Sequence, residues 1–365
     1  MDSQRSSPLR RIALGTAALA AVSVALAPGA QAATVETVAR GLDNPRSVAV
    51  TPDGSVYVAN AGRAGRRCQG KGEERQCLGF TGRIVRVAGG KARTFAKGFA
   101  SLGSPGGLFA GGLSGVSVNP SGEVFGVTGS GPPGFVKSLP RSVRRQTGRV
   151  FDIRKGGFSA VARIDRFEWR NNVDKVKGDR NSNPYAVLAQ ADREVVVDAG
   201  ANAVFEVRGR KVSLLTVIPK NGKSQPVPTS IAAGANGDLY VGELAEGAGK
   251  SKARVWRIHA AGGAPSVAAG GFTNITGVAV GPDGSLFVTE FARNLRKEDI
   301  RGEVTRVAPD GTRTKLGQGK LFAPTGAAVD ANGAVYVSNN SVLPGKTPKK
   351  SPFKGAGGTL VKITP

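Results

Sequence analysis

Six polar residues recur at one position of a repeated phrase, and their oxygen atoms could bind a cation. Each ends a Val-rich stretch that follows a tight turn, as in residues 51–60 and 281–290. In register, the six residues are Asn60, Thr128, Asp198, Glu243, Glu290 and Asn339. Carboxylate and amide oxygens are the ligands that Ca²⁺ prefers, whereas zinc prefers His or Cys. The sequence therefore predicts a functional Ca²⁺ site whose candidate ligands are Asp198, Glu243, Glu290, Asn60 and Asn339.

The same position also fits a structural role. Polar side chains at buried strand ends can hydrogen-bond to one another and to water, or carboxylates can pair with nearby arginines. We call the six residues the collar and carry both interpretations forward.

The turn inside each phrase predicts the fold. Asp-Gly or Asn-Gly supplies the positive φ that a tight hairpin requires. The second turn positions are Gly54, Gly122, Arg193, Gly237, Gly284 and Gly333, spaced 44 to 71 residues apart. A third strand follows each hairpin, and a fourth follows the first five. This period predicts an all-β chain that forms a six-bladed β-propeller of four-stranded blades. Residues 34–39 are expected to complete the last blade and close the ring.

The insertions predict which face of the propeller is functional. We name the strands of a blade a to d from the axis outward. The short a–b and c–d turns share one face, the turn face, and the b–c and d–a connections share the other, the loop face. The long insertions, residues 61–81, 129–147, 166–181 and 340–357, all fall on the loop face. Binding usually occurs where long loops gather on a rigid scaffold. The predicted binding-face residues beside the collar are Asn183, Thr229, Asn274 and Thr128.

The single histidine argues against two kinds of catalytic site. His259 follows the third strand of the fourth blade, which places it in a c–d turn on the turn face. A serine–histidine–aspartate site or a histidine base at the collar is therefore not expected. No catalytic residue is assigned from the sequence.

The charge of the chain indicates an anionic partner. The formal net charge is +25, and much of the excess lies in the predicted loop-face segments. These residues are Arg63, Arg66, Arg67, Lys71, Arg141, Arg144, Arg145, Lys175, Lys177, Arg180, Lys250, Lys252, Arg293, Arg296, Lys297, Lys349 and Lys350. Such a surface attracts an anionic cell-surface polymer or a small anionic ligand. No specific nucleic-acid motif accompanies the charge, and we expect a monomer.

The first residues predict export. A basic start, an apolar run and Ala30-Gln31-Ala32 are typical of a cleaved signal peptide over residues 1–32, leaving residues 33–365 as the propeller. The apolar run is short for a membrane span. General secretion and the twin-arginine route both remain open. In an exported chain the two cysteines, Cys68 and Cys77, are expected to form a disulfide. The predicted location is secreted, extracellular or associated with the cell envelope.

Several stretches resemble a family of exported propellers named after the scytonemin proteins ScyD and ScyE, related to NHL-repeat propellers. They are residues 68, 77–82, 167–168, 171–172, 182–185, 198–200, 228–230, 242–244, 271–275 and 323–326. The resemblance implies export and six blades but no settled activity. The family usually has Asp before Ser-Asn-Pro-Tyr, where Asn181 stands here, so a role for that carboxylate does not transfer. In architecture the chain is also similar to calcium-dependent gluconolactonase-like propellers.

Three functions follow from these observations. The favoured one is a non-catalytic binding protein of the cell exterior or envelope that uses its basic loop face. The alternative is a Ca²⁺-dependent lactonase-type hydrolase, in which the cation would polarise a carbonyl and activate water. A quinone-cofactor sugar dehydrogenase would need an axial histidine base, for which His259 is misplaced. No cofactor other than Ca²⁺ is suggested.

Overall fold

The strands form blades around one axis. The structure is a computed structural model that describes residues 33–222, 224–349 and 351–365; the predicted signal peptide, residues 1–32, and Lys350 lie outside these ranges. Within them, the strands make six antiparallel sheets, each with at least four strands. The inner strands of neighbouring sheets contact one another around a complete ring. The predicted six-bladed β-propeller is confirmed.

The order of the strands follows the predicted repeat. The chain starts with β1 (Thr34–Leu42). Blade 1 contains β2 (Pro45–Val50), β3 (Val56–Asn60), the short β4 (Arg67–Gln69), β5 (Gln76–Ala88) and β6 (Lys91–Gly103). Blade 2 contains β7 (Leu113–Val118), β8 (Val124–Thr128), β9 (Arg149–Arg154) and β10 (Gly157–Arg163). Blade 3 contains β11 (Pro184–Ala189), β12 (Glu194–Asp198), β13 (Ala203–Arg208) and β14 (Lys211–Val217).

The remaining blades repeat the arrangement. Blade 4 contains β15 (Pro228–Ala233), β16 (Leu239–Glu243), β17 (Ala253–Ile258) and β18 (Ser266–Phe272). Blade 5 contains β19 (Ile275–Val280), β20 (Leu286–Glu290), β21 (Arg301–Val307) and β22 (Arg313–Phe322). Blade 6 contains β23 (Thr325–Val329), β24 (Val335–Asn339) and β25 (Gly358–Thr364).

The N-terminal strand closes the ring. β1 pairs antiparallel with β25, with Thr34 opposite Thr364 and Leu42 opposite Gly358. It thereby becomes the outer strand of blade 6. This pairing protects a strand edge that would otherwise expose unpaired backbone groups. The predicted closure is confirmed.

The a–b turns use glycine where the backbone needs it. Gly54 and Gly284, for example, have φ values of 76° and 78° in these turns. L-residues with a side chain rarely adopt such values, which explains the recurrent glycine. Blade 3 differs because Arg193 replaces the glycine, and its side chain lies buried against the sheet.

The core lies between the blades. Apolar residues of the b strands are buried on both faces of the sheet, and every residue of β3 and β24 is buried. The buried residues form one apolar cluster at each junction of neighbouring blades in the described part of the chain. Burial on both faces explains why the b strands are mostly apolar up to the polar residue that ends each of them.

The loop-face insertions contain helices that the sequence analysis missed. They are α1 (Pro133–Ser138), α2 (Arg141–Arg144) and α3 (Ile164–Asn171), with short 3₁₀ turns at Gly72–Glu74, Pro105–Gly107 and Leu295–Lys297. No helical periodicity was expected. α3 buries Ile164, Asp165 and Glu168. Two of these are acidic and the helix spans only eight residues, so the apolar pair Ile164 and Phe167 was too short a pattern to predict it.

The predicted disulfide is present in the first insertion. Cys68 of β4 lies opposite Cys77 of β5, and their sulfur atoms are bonded. The bond fixes the hairpin that extends β5 beyond the propeller sheet. Among the described residues, no helix is long and apolar enough to cross a membrane.

Candidate functional site

The collar residues occupy the predicted positions. Each is the last residue of a b strand, from β3 in blade 1 to β24 in blade 6. All are buried; Asn60, Asp198 and Glu243 are completely inaccessible to solvent. Their alignment at the loop-face ends of the strands confirms the register of the repeat. Their hydrogen bonds identify what they do there.

Most collar side chains hold the d–a connection that leads into their own blade. Asn60 Oδ1 accepts a hydrogen bond from the backbone N–H of Asp43 at 3.1 Å. Glu290 Oε1 accepts one from Thr273 at 2.6 Å, also from the residue seventeen positions earlier. The equivalent bonds are Phe322 N to Asn339 Oδ1 at 2.7 Å and Asn183 N to Asp198 Oδ1 at 2.6 Å. These bonds satisfy backbone donors that would otherwise be buried without a partner.

In blade 4 the collar residue bonds to side chains, because the backbone donor of the other blades is missing. The residue seventeen positions before Glu243 is Pro226, which has no N–H to donate. Glu243 instead accepts from Arg254 Nε at 2.7 Å and from Trp256 Nε1 at 2.8 Å. The charge of Glu243 is thereby paired inside the blade. In blade 2, Thr128 donates its hydroxyl to the carbonyl of Gln146.

The collar carboxylates do not form a shared metal centre. Asp198 accepts from Ser182 Oγ and from three backbone N–H groups, and Glu290 also accepts from Thr305. Burial raises the pKa of Asp198 to about 6 and also raises the pKa of Glu290. Among the described residues, no group of three or more His, Cys, Asp or Glu side chains could hold a metal ion. The geometry does not fit an axial cation, and the Ca²⁺ site at the collar stays a prediction from the sequence.

Three of the predicted binding-face residues fall into two structural classes. Thr229 lies within an inner strand, whereas Asn183 and Asn274 lie one residue before one. Thr229 Oγ1 donates to the carbonyl of Ile275 in the next blade at 2.7 Å. Asn274 lies one residue before its strand and donates Nδ2 to Leu244 O. Asn183 likewise precedes its strand, where its backbone N–H bonds to Asp198. The counterpart of Thr229 in blade 5 is therefore Thr276.

Thr276 was missed because the repeats were aligned on Asn274. Its hydroxyl donates to Pro324 O at 2.9 Å, and Thr325 donates to Pro45 O at 3.1 Å. Ser114 donates to Pro184 O at 3.2 Å in the same way. An alignment of Thr276-Gly277 with Thr325-Gly326 would have identified Thr276 from the sequence. These hydroxyls join neighbouring inner strands, so they stabilise the ring at the loop-face end of the axis.

The axial cavity has no carboxylate, imidazole or basic side chain among its described lining residues. It has a volume of about 280 Å³ and is lined by the inner strands, mainly by Val, Ala, Ser and Thr. No Asp, Glu, His, Lys or Arg lines it in the described part of the chain. A proton-transfer mechanism needs a titratable group within reach of the reacting atom. Tyr185 is the one titratable side chain among the described lining residues, so the axis offers a hydroxyl but no carboxylate or imidazole.

On the turn face, several acidic and basic side chains pair within a blade. In four blades, a basic residue near the end of the c strand pairs with the aspartate of the a–b turn in the same blade. These pairs are Arg86–Asp53, Arg257–Asp238, Arg306–Asp283 and Lys362–Asp330. Blade 3 reverses the signs, because Glu206 pairs with Arg193 at the glycine position. His259 lies in the predicted c–d turn, is mostly exposed and contacts Asp238.

The loop face does not neutralise its charges. The basic residues predicted to lie there are exposed wherever the structure describes them. None of these described side chains forms an ion pair with a carboxylate within 4.0 Å. Those that form hydrogen bonds, such as Arg180 and Arg296, donate to backbone carbonyls, which carry no net charge. The described loop-face insertions therefore present exposed basic side chains without carboxylate partners.

Two loop-face cavities combine this charge with concave shape. The first has a volume of about 430 Å³ beside the b–c insertion of blade 6 and contains Arg40, Lys346, Lys349 and Lys354 but no described acidic residue. Several glycines in its wall leave the backbone accessible. The second has about 520 Å³ and contains five basic residues with two glutamates; these are Lys250, Arg293, Arg301, Arg313, Lys315, Glu290 and Glu303.

Comparisons with known proteins support the fold. No protein-family model and no curated protein matches the chain. The PQQ-bound aldose sugar dehydrogenase from Streptomyces coelicolor is 14% identical, with a TM-score of 0.53 over 92% of this chain and 99% of that one. A gluconolactonase from Xanthomonas campestris is 10% identical, with a TM-score of 0.53 over 91% and 89%. The calcium-binding protein regucalcin from Agrobacterium tumefaciens is 12% identical, with a TM-score of 0.51 over 90% and 93%.

At these identities the similarity shows a shared six-bladed propeller fold and carries no activity. The ScyD/ScyE resemblance stays a prediction.

Proposed function

We propose that this protein is an exported, non-catalytic binding protein whose loop face holds an anionic polymer. The observation that carries the proposal is the contrast between the two faces. Acidic and basic side chains pair across the turn face. The described basic residues of the loop insertions have no carboxylate partner.

The unpaired charge is available for binding. A paired surface charge contributes little to the field beyond its partner, whereas a cluster of one sign attracts counter-ions over roughly a Debye length, about 8–10 Å at moderate salt. The loop face therefore favours a ligand that offers several negative charges at once. A polymer with repeated phosphate or carboxylate groups has this property.

The cavity beside blade 6 is the best-defined part of this surface. Its four basic side chains, Arg40, Lys346, Lys349 and Lys354, surround a concave wall without an acidic residue among those described. Lysine ammonium groups act as adaptable point charges on phosphate, and an arginine can bind it with two parallel hydrogen bonds. We expect one anionic group of the polymer to occupy this cavity.

The alternative, a Ca²⁺-dependent lactonase-type hydrolase, has less support. Its proposed residues, Asp198, Glu243 and Glu290, are each bonded within their own blade. The uncharged lining of the axial cavity offers no base near the collar. The gluconolactonase and regucalcin structures are compatible with this function only through the shared fold.

Salt-dependent binding of polyglycerol phosphate tests the proposal. The double substitution Lys346→Glu/Lys354→Glu reverses two charges of the blade 6 cavity. The control, Lys155→Glu/Lys211→Glu, reverses two exposed charges of turn-face c–d turns. The first should weaken binding by about tenfold or more and reduce the slope of log affinity against log salt by roughly two. Equal losses in both variants, or affinity that does not change with salt, would contradict the proposal.

A further inference from the structure

One loop-face connection contains buried oxygen atoms without hydrogen-bond donors. Glu168 Oε1, Asn172 Oδ1 and Asn181 Oδ1 are each inaccessible to solvent and have no partner. All three belong to the segment between β10 and β11. Buried polar atoms are normally satisfied, so three unsatisfied acceptors in one segment indicate a missing partner that is positively charged or donates protons.

The end of α3 orients two of these oxygens. The helix ends at Asn171, and Asn172 adopts a left-handed conformation with φ 46° and ψ 65°. This turn brings the N–H of Val173 to Glu168 Oε2 at 3.0 Å, which leaves Oε1 free. Asn172 donates Nδ2 to Val176 O at 3.1 Å, so its carbonyl oxygen is the atom left without a partner.

The turn after β12 connects both ends of the segment. Asp174 Oδ2 accepts from Asn202 Nδ2 at 2.8 Å, which ties the α3 end to this turn. On the other side, an added Cβ at Gly200 would lie 3.1 Å from the carbonyl carbon of Asn181. The Gly200 N–H itself donates to Asp198 Oδ1 at 3.0 Å. Asp174 and Asn181 thus contact the same four-residue turn, residues 199–202.

The surroundings are negatively charged. Glu168 and Asp198 are both fully buried. Burial, together with the nearby carboxylates of Asp174, Asp198 and Asp179, raises the pKa of Glu168 to about 7. None of these four carboxylates forms an ion pair with a described residue. Buried carboxylates are costly unless a counter-charge accompanies them, and this group has none in the described protein.

We propose that the connection between β10 and β11 binds a Ca²⁺ ion through Glu168 Oε1 and the side-chain oxygens of Asn172 and Asn181. The ligand set is one carboxylate with two amide oxygens, a different set from the collar. The nearby aspartates add negative charge without being required as ligands. Oxygen donors without His or Cys favour a hard cation, and Ca²⁺ accepts the irregular geometry of a loop more readily than Mg²⁺ does.

The bound ion would order the loop-face surface. Lys175, Lys177 and Arg180 project to solvent from the same segment. Fixing its backbone would hold these side chains in place beside the other basic loops. Ca²⁺ binding itself does not depend on the polymer proposal.

Calorimetric titration and thermal unfolding of the mature chain, first treated with EDTA, test the site. Ca²⁺ should bind one to one and raise Tm by roughly 5 °C at one hundred times the dissociation constant. Glu168→Gln removes the carboxylate charge and should weaken binding by about tenfold or more. The control Glu246→Gln, an exposed carboxylate in another loop-face connection, should bind Ca²⁺ as the wild type does.

Substitutions at Asn181 provide an independent test of the Ca²⁺ site if Glu168→Gln fails to fold. Asn181→Asp adds a charged ligand and should strengthen Ca²⁺ binding, whereas Asn181→Ala should weaken it. A folded wild-type protein that neither releases heat nor gains stability at millimolar Ca²⁺ would overturn the proposal. So would Ca²⁺ binding that neither substitution at Asn181 changes.

Discussion

At the ends of the b strands, side-chain oxygens act as fixed acceptors for the backbone of the d–a connection. Asn60, Glu290 and Asn339 accept the equivalent N–H in three blades. A carboxylate is not required for this bond, because amides serve in two of the three. The collar residues therefore share a hydrogen-bonding role despite their different charges.

Glu290 provides a pH test of this role. Burial raises its folded pKa above the unfolded value of 4.5. The folded state then binds this proton more tightly than the unfolded state, so the contribution of Glu290 to stability falls as the pH rises above about 4.5. Gln at this position can still accept the Thr273 N–H but does not titrate.

We therefore expect Glu290→Gln to gain stability relative to the wild type as the pH rises from 4 to 7, measured by urea unfolding at each pH. Glu246→Gln reports the effect of removing one exposed charge. A wild-type protein that gains stability over Glu290→Gln across this range would show that the glutamate charge itself is needed.

The repeat predicted where the collar residues lie but not what they bind. Each phrase ends in a polar residue, and that regularity is visible in the sequence. The donors are backbone N–H groups of the d–a connections, which every residue except proline carries, so residue types alone do not reveal the pairing. The charge pairs of the turn face could have been predicted, because Arg86, Arg257 and Arg306 occupy equivalent positions in the c strands of their blades.

Among the elements, β1 has the clearest separate role. It supplies the outer strand of blade 6 although it is the first strand of the chain. Leu42 at its end is 2% exposed and belongs to the apolar cluster between blades 6 and 1. Closure therefore combines strand pairing with side-chain burial.

Leu42→Ala should lower the free energy of unfolding by about 2–5 kcal/mol, because it opens a cavity at the closing junction. Thr34→Ala at the exposed start of β1 should change it by less than about 0.5 kcal/mol. Chemical denaturation measures both values. Equal, small effects would mean that β1 contributes little to closing the ring.

The strands and the helices were not equally predictable. Asp-Gly turns and apolar b strands are local signals that match the final packing, so the sequence predicted the blades. α3 spans only eight residues and buries two acidic side chains in polar surroundings, while Ile164 and Phe167 pack in the apolar cluster between blades 2 and 3, so its pattern is mixed. The same surroundings contain the unsatisfied oxygens of Glu168 and Asn172.

For the whole molecule, the two faces differ in charge pairing. On the turn face, the aspartate of the a–b turn pairs with a basic residue of the c strand in several blades. The loop-face insertions have no corresponding acidic partners for their basic residues among the described pairs. A propeller with this distribution presents the unpaired basic residues of its loop-face insertions to an anionic surface.

Hydrogen–deuterium exchange of the mature protein with and without polyglycerol phosphate tests this orientation most directly. We predict slower exchange in loop-face segments, above all residues 340–349 and 351–357, with no change in the c–d turns at residues 154–157 and 208–211. Protection that is confined to the turn face, or equal on both faces, would contradict binding through the loop face.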